Sequence, residues 1–234
     1  MRDCIAIIPA RGGSKRIPKK NIRPFLGQPI LAYAIKAAKE CGCFTEVMVS
    51  TDCQEIAEVA LAAGANVPFH RSSESSGDFS TTVDVIREVI GRYEAIGRSF
   101  PRACCIYPAN PFLKPERIRE AAALLESHPE VETVLAVVQY SHPIQRAFHL
   151  EEGRLAPLDK ESLETRTQDL LPCYHDAGSF YFFRTEQMLA KGALITSTSA
   201  GVVLPHSETH DIDTPEDWDE AELKYRILHR KTAE

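Results

Sequence analysis

Residues 7–21 read Ile7-Ile8-Pro9-Ala10-Arg11-Gly12-Gly13-Ser14-Lys15-Arg16-Ile17-Pro18-Lys19-Lys20-Asn21. The apolar run from Cys4 to Ile8 predicts a short buried strand, and Pro9 ends it. A turn-rich loop follows, carrying Arg11, Lys15, Arg16, Lys19 and Lys20, with Arg23 just beyond. The chain of 234 residues has a formal net charge of -6, so this positive charge is concentrated locally. Six cations so close together repel one another unless an anion offsets them. Gly12 and Gly13 can take positive φ and bring backbone N–H groups close to a ligand. A glycine turn among cations after a first strand predicts a polyphosphate site. The spacing excludes two common phosphate loops: Ile17 stands where G-x-x-x-x-G-K-[ST] needs glycine, and Ser14 breaks G-x-G-x-x-G.

Working outward, residues 29–40 have helical apolar spacing with Gly42 as a stop, and residues 46–50 read as a second strand. Asp52 with Glu55 three residues on predicts a capped helix to about residue 63, closed by Gly64. Residues 65–69 read as a third strand. This alternation implies a three-layer α/β/α arrangement on a mostly parallel sheet with right-handed crossovers. His70 to Ser80 is a Ser-rich loop, and residues 82–93 read as a helix. Strands are expected at 104–107, 133–138, 179–183 and 201–204, with helices at 115–127 and 215–230. From about 139 to 175 the alternation lapses, which predicts an inserted lid or dimerisation segment within one domain spanning residues 1–234.

In open sheets of this kind ligands sit outside the carboxyl ends of the strands. That draws Arg11–Asn21, Ser50–Asp52, Arg71–Ser80 and Tyr107–Asn110 around one crevice. At the far end of the chain, His210-Asp211-Ile212-Asp213 places Asp211 and Asp213 on one face if extended. Adjacent carboxylates are costly without a cation between them, and Mg²⁺ takes one or two carboxylates plus phosphate oxygens. Thr214 as N-cap and Pro215 at the first helical position open the last helix. The acidic balance argues against a general nucleic-acid binder. No apolar run is long enough for a membrane span, and the N-terminus lacks a signal-peptide pattern. Seven cysteines with no Cys-x-x-Cys pair read as reduced, mostly buried thiols, so a cytoplasmic setting is expected.

IIPARGGSKRIPKKN at 7–21 resembles the signature of the acylneuraminate cytidylyltransferase (CMP-sialic acid synthetase) family. VSTDCQEIAEVA at 49–60, YPANPFL at 107–113 and HDIDTPEDW at 210–218 resemble further motifs of that family in the expected order. PIQRAF at 143–148 and TRTQDLLPCYHDAGSFYFF at 165–183 look most like the pseudaminic acid branch. Tyr174-His175-Asp176-Ala177-Gly178 departs from the Arg-Pro-Asn-Gly of the sialic acid branch.

The resemblance implies a Rossmann-like, GT-A-like nucleotidyltransferase fold. It implies transfer of CMP from CTP to the anomeric hydroxyl of a nine-carbon acidic sugar, with release of pyrophosphate. N-acetylneuraminate, an eight-carbon keto-acid sugar, or nucleotide-sugar binding without catalysis are the competing readings. Arg11 and Lys20 are then the catalytic cations. Gly12, Gly13, Ser14, Asn21, Asp52, Arg71 and Ser80 join them around the nucleotide, and Asp211 and Asp213 hold Mg²⁺. An acidic substrate calls for arginine. Arg146 and Arg166 are the candidates, with Gln145, His175, Asp176 and Tyr181 as further sugar contacts. A homodimer is implied by the resemblance alone.

Overall fold

The computed structural model describes residues 3–77 and 80–230. In chain order its elements begin with β1 (Cys4–Pro9), β2 (Pro24–Phe25), β3 (Gln28–Pro29), α1 (Ile30–Glu40), β4 (Glu46–Ser50) and α2 (Gln54–Ala62). There follow α3 (Ser73–Ser76), α4 (Thr82–Ala95), β5 (Arg102–Ile106), α5 (Pro115–Ser127) and β6 (Thr133–Gln139). The chain ends with β7 (Phe148–Glu151), β8 (Arg154–Pro157), β9 (Tyr174–Arg184), α6 (Thr185–Lys191), β10 (Ala200–Val203) and α7 (Pro215–Arg230).

Six strands form the central sheet in the order β10-β6-β9-β5-β1-β4. Pairs β1–β4, β1–β5 and β10–β6 are parallel, whereas β9 runs antiparallel between β5 and β6. β1 is apolar on both faces because both are covered, as expected at the centre of such a sheet. Cys4, Ala6 and Ile8 pack toward residues of α1, α2 and α5, while Ile5 and Ile7 pack toward α4 and α6. This period-2 division produces the three layers.

A third buried cluster lies off the sheet and matters more for function. Ile17, Phe25, Ile30, Phe112, Ile212, Trp218 and Ala221 enclose it. Phe25 meets Tyr33, Trp218 and Tyr225 edge-on, each at a ring separation of 5.6 Å. The Arg23 guanidinium lies 4.6 Å over the Trp218 ring. Thus the basic loop, the Asp211–Asp213 segment and α7 share one core.

Several local expectations change. Residues 65–69 form no strand: a single parallel bridge joins Met48 to Asn66, and Asn66 spends its side chain on Glu46. Asp52 does not cap α2, which starts one residue later with Cys53 in the capping position. The Asp52 carboxylate instead accepts from the Gly12 N–H at 2.8 Å. Gly12 and Gly13 do not adopt positive φ. Gly12 is favoured for another reason: a Cβ there would lie 3.0 Å from Cys53 Cβ, a contact that Cys53 would have to yield to. β9 is longer than expected and antiparallel, and α6, β7 and β8 arise where no element was foreseen. The 70–80 loop contains the single turn α3; Asp78 and Phe79 of that loop lie outside the described residues.

At Thr214 the expected cap forms: its Oγ1 accepts from Asp217 N–H at 3.2 Å, and Asp217 Oδ2 accepts from Thr214 N–H at 2.7 Å.

Candidate functional site

A cleft of about 600 Å³ opens at the carboxyl ends of β1 and β5. Parallel pairing brings Pro9 and Ile106 to the same edge, and the antiparallel β9 delivers Ala177–Ser179 there, since Phe180 is opposite Ile106. The remaining walls come from the basic loop and from Thr209–Asp213.

The basic loop sorts its charges among different tasks. Lys19 sits at φ 52, a left-handed conformation uncommon for a residue with a side chain. Its ammonium pairs with Glu55 at 2.6 Å on α2, and that hydrogen bond raises the lysine pKa. The kink directs Lys20 into the cleft, where its Nζ lies 3.4 Å from Asp213 Oδ1. Asn21 is buried and donates through Nδ2 to the Arg11 carbonyl at 3.0 Å, fixing the backbone from which Arg11 reaches the cleft. Arg11, Ser14, Lys15 and Arg16 line the same wall. Across from them Ile212 is turned into the third core, leaving Asp211 and Asp213 on the cleft side. Arg16 Nη1 meets Asp213 Oδ2 at 2.9 Å.

Other candidates stand behind the wall as supports. Arg71 is buried and its guanidinium donates to the Ser50 carbonyl at 2.6 Å and to Ser50 Oγ at 3.1 Å. Burial lowers its pKa, opposed by Asp52 and Glu88. Ser50 in turn accepts from Ala10 N–H, so Arg71 steadies the start of the basic loop. Asp52 and Gly12 hold each other, and Ser80 Oγ donates to the Glu74 carbonyl at 2.8 Å. Of the expected nucleotide set, therefore, Arg11, Ser14, Lys20 and Asn21 line the cleft, whereas Gly12, Gly13, Asp52, Arg71 and Ser80 do not.

The expected sugar contacts fall outside the cleft lining as well. Gln145 donates to the Leu171 carbonyl at 2.8 Å, and the Arg146 guanidinium donates to the carbonyls of Ser162 and Thr165. Both thereby brace residues 140–173 internally. Arg166 is exposed on that segment. His175 Nδ1 lies 2.8 Å from the Asp176 carbonyl, with its ring against Tyr140. Tyr181 is buried and its hydroxyl donates to Asp176; burial and that carboxylate hold the phenol far above its ordinary pKa.

The cleft also contains residues with no individual role read from sequence. Asn110 Nδ2 donates to Ser179 Oγ at 2.6 Å, both side chains buried, which ties the end of β5 to β9. Tyr107, at the same edge, has its hydroxyl 3.3 Å from Thr82 Oγ1, and burial raises its pKa. His210 Nε2 is a buried atom without a hydrogen-bond partner. Polar side chains at the ends of apolar strands are the signal that singles out Asn110 and Ser179. The two core thiols beside them are inert: burial drives Cys104 well up and Cys105 to about 12.

Among the described residues no three His, Cys, Asp or Glu side chains gather as a closed metal cage. Two carboxylates facing a cationic cleft suit an ion that completes its shell with phosphate oxygens and water. The residues present therefore fit Mg²⁺ bound together with a polyphosphate, and not a structural zinc.

Comparison with known proteins adds the identity of the group to which this architecture belongs. A model described as "Cytidylyltransferase" matches residues 5–222. The pseudaminic acid cytidylyltransferase of Campylobacter jejuni is 37% identical over 226 residues, covering 96% of this chain and 97% of that one. The CMP-N,N'-diacetyllegionaminic acid synthase of Legionella pneumophila is 31% identical over 215 residues, covering 92% of each. Among solved structures, a CMP:2-keto-3-deoxy-manno-octonic acid synthetase complexed with CTP superposes with a TM-score of 0.70 at 15% identity, covering 98% of this chain and 99% of that one. That last likeness speaks to the fold.

Proposed function

The chain belongs to the cytidylyltransferase family, and on that premise we propose that it transfers CMP from CTP to pseudaminic acid. It is a CTP-dependent nucleotidyltransferase acting on an acidic sugar. The observation that carries the site assignment is the meeting of Arg11, Lys20 and Asn21 with Asp211 and Asp213 in one cleft.

The anomeric hydroxyl of the sugar attacks the α-phosphorus of CTP in line. Its oxygen forms the new bond to phosphorus, the α–β anhydride bond breaks with its electron pair going to pyrophosphate, and the hydroxyl proton passes to solvent. Such transfers need positioning and charge neutralisation more than covalent partners. Arg11 and Lys20 place fixed positive charge where pyrophosphate charge grows. Asn21 holds the Arg11 backbone so that this charge is in place before the reaction. Arg71, Asp52 and Gly12 keep the loop start rigid, and Ser14 offers the phosphates a hydroxyl. A Mg²⁺ ion held by Asp211 and Asp213 would neutralise phosphate charge and ease ionisation of the attacking hydroxyl.

For the sugar, Arg166 is exposed and provides a bidentate partner for its carboxylate. His175 and Asp176 stand at the start of β9, next to Ala177–Ser179 of the cleft wall. The pseudaminic choice rests on this chain's PIQRAF and YHDAG segments and on its likeness to the Campylobacter enzyme. The segment from 140 to 173 exposes Phe148, Leu150, Leu155 and Leu171, which supports a homodimer covering that surface. No helix among the described residues is long and apolar enough to cross a membrane. The seven free thiols accord with a cytoplasmic setting.

The test measures pyrophosphate release from CTP and Mg²⁺ with pseudaminic, N-acetylneuraminic and eight-carbon keto-acid sugars side by side. Preferential turnover of pseudaminic acid is expected. Equal or greater turnover of N-acetylneuraminate overturns the choice of sugar, and no turnover of any overturns the acidic-sugar reading.

A further inference from the structure

One carboxylate in the cleft is claimed by two cations. Asp213 Oδ2 pairs with Arg16 and its Oδ1 with Lys20, at 2.9 and 3.4 Å. Asp211, two residues earlier and exposed, has no ion pair among the described residues. The two aspartates are therefore unequally paired. The two cations differ as well. The Lys20 side chain is 22% exposed and rooted in a turn whose backbone bonds run from Lys20 N–H to Ile17 and from Ile22 N–H to Lys19. The Arg16 side chain is 67% exposed, so it can leave Asp213 without disturbing packed residues.

We propose that Arg16 is a positioning residue that occupies Asp213 until a triphosphate enters and then releases it, so that nucleotide and divalent cation bind cooperatively. The inference rests on the reading of Asp211 and Asp213 as metal-holding residues. A divalent cation arriving alone must displace positive charge from Asp213. A triphosphate arriving alone must draw Arg16 away and leave Asp213 with Lys20 as its one remaining cation among the described residues. Arriving together they exchange partners one for one: Arg16 passes to a phosphate and Asp213 to the metal. By reciprocity each ligand tightens the other by the same factor. An exposed ion pair of this kind changes an affinity by about twofold to fivefold.

The experiment titrates Mn²⁺ by the electron paramagnetic resonance signal of the free ion, with and without CTP. It uses the full chain and its Arg16→Gln, Arg16→Lys and Asp213→Asn variants. Without nucleotide, Arg16→Gln is expected to bind Mn²⁺ about twofold to fivefold more tightly than the unchanged protein. The factor by which CTP tightens Mn²⁺ binding should shrink correspondingly, while Arg16→Lys keeps both values near the original. Equal or weaker nucleotide-free Mn²⁺ occupancy in Arg16→Gln, zero in both proteins included, overturns the proposal. If Asp213→Asn leaves Mn²⁺ binding with CTP unchanged, the metal-holding reading itself falls, and the proposal with it.

Discussion

The basic loop, residues 11–23, and the arm, residues 140–173, are built to opposite plans. The loop is full of charge yet anchored by apolar residues: Ile17 is 1% exposed, and Arg23 covers Trp218 from above. The arm is rich in apolar residues yet anchored by polar ones. Gln145 and Arg146 bind its own carbonyls, while Leu150 and Leu171 are 72% and 80% exposed. Charges that must meet a polyanion are thus held still by a dry core inside the same chain. The arm's apolar side chains face outward, and the homodimer proposed above is the reading that covers them.

This contrast can be broken by substitution, starting where the effect is largest. Asp211→Ala and Asp213→Ala should each lower the rate of pyrophosphate release by about 10²–10³, the loss typical of removing transition-state charge stabilisation. A rate close to the original would show that neither carboxylate holds the metal. Trp218→Ala empties the core under the loop and should cost about 3–5 kcal/mol in denaturant unfolding. Arg71→Ala leaves Ser50 without its charged partner and should cost about 1.5–3 kcal/mol by the same measurement. Leu150→Asp combined with Leu155→Asp should stay within about 0.5 kcal/mol of the original stability per chain. Light scattering should nevertheless show a dimeric mass for the original protein and a single-chain mass for the variant. A single-chain mass for both overturns the proposed homodimer, and a dimeric mass for both places its interface elsewhere.

The smallest effect is one of pH. Glu88 accepts from Ser72 N–H and Oγ, both at 2.9 Å, and so ties the 71–77 segment to α4. Burial pushes its pKa up, but bonds from Ser75 and Ser72 prevail and hold it below the ordinary 4.5. Because the folded value is depressed, the tether is fully present above about pH 4.5 and is lost as pH falls through the lower folded value. Glu88→Gln should therefore melt earlier than the original protein at neutral pH, and the gap should close on acidification. A gap independent of pH would show that the charge is irrelevant to the tether.

Legibility followed the same division. The strand Cys4–Pro9, the cations after it and the Asp-Ile-Asp segment were readable because local rules govern them. Apolar periodicity sets burial, and alternation sends Ile212 inward and its neighbours out. Thr214 was readable for the same reason, since a cap is completed within four residues. Asp52 misled because its sequence neighbour Glu55 suggests a capping box, while its actual partner, Gly12, lies forty residues away. Arg71 reads as a nucleotide contact from its place in the chain, and nothing in a sequence shows that its guanidinium is buried on Ser50. In the arm, Gln145 and Arg146 carry the right chemistry for a sugar, yet their bonds go to main-chain carbonyls that composition cannot reveal. The roles of Arg16 and Lys19, indistinguishable in a run of like charges, separate once Asp213 and Glu55 are placed beside them.

The antiparallel β9 has a consequence for the order in which the protein forms during synthesis. β1, β4 and β5 can pair as soon as residue 106 has emerged, since β1 lies between the other two. β6 is complete by residue 139 but has no partner then, because its neighbours are β9 and β10. The β7–β8 hairpin closes locally, within microseconds, before the strand that roots it exists. Until β9 emerges the nascent chain carries an open edge at β5 and an unpaired β6, both templates for mispairing. Closure of the sheet and completion of the cleft edge at Ser179 are then one event. A ribosome that stalls between residues 140 and 173 would expose the most aggregation-prone intermediate of this chain.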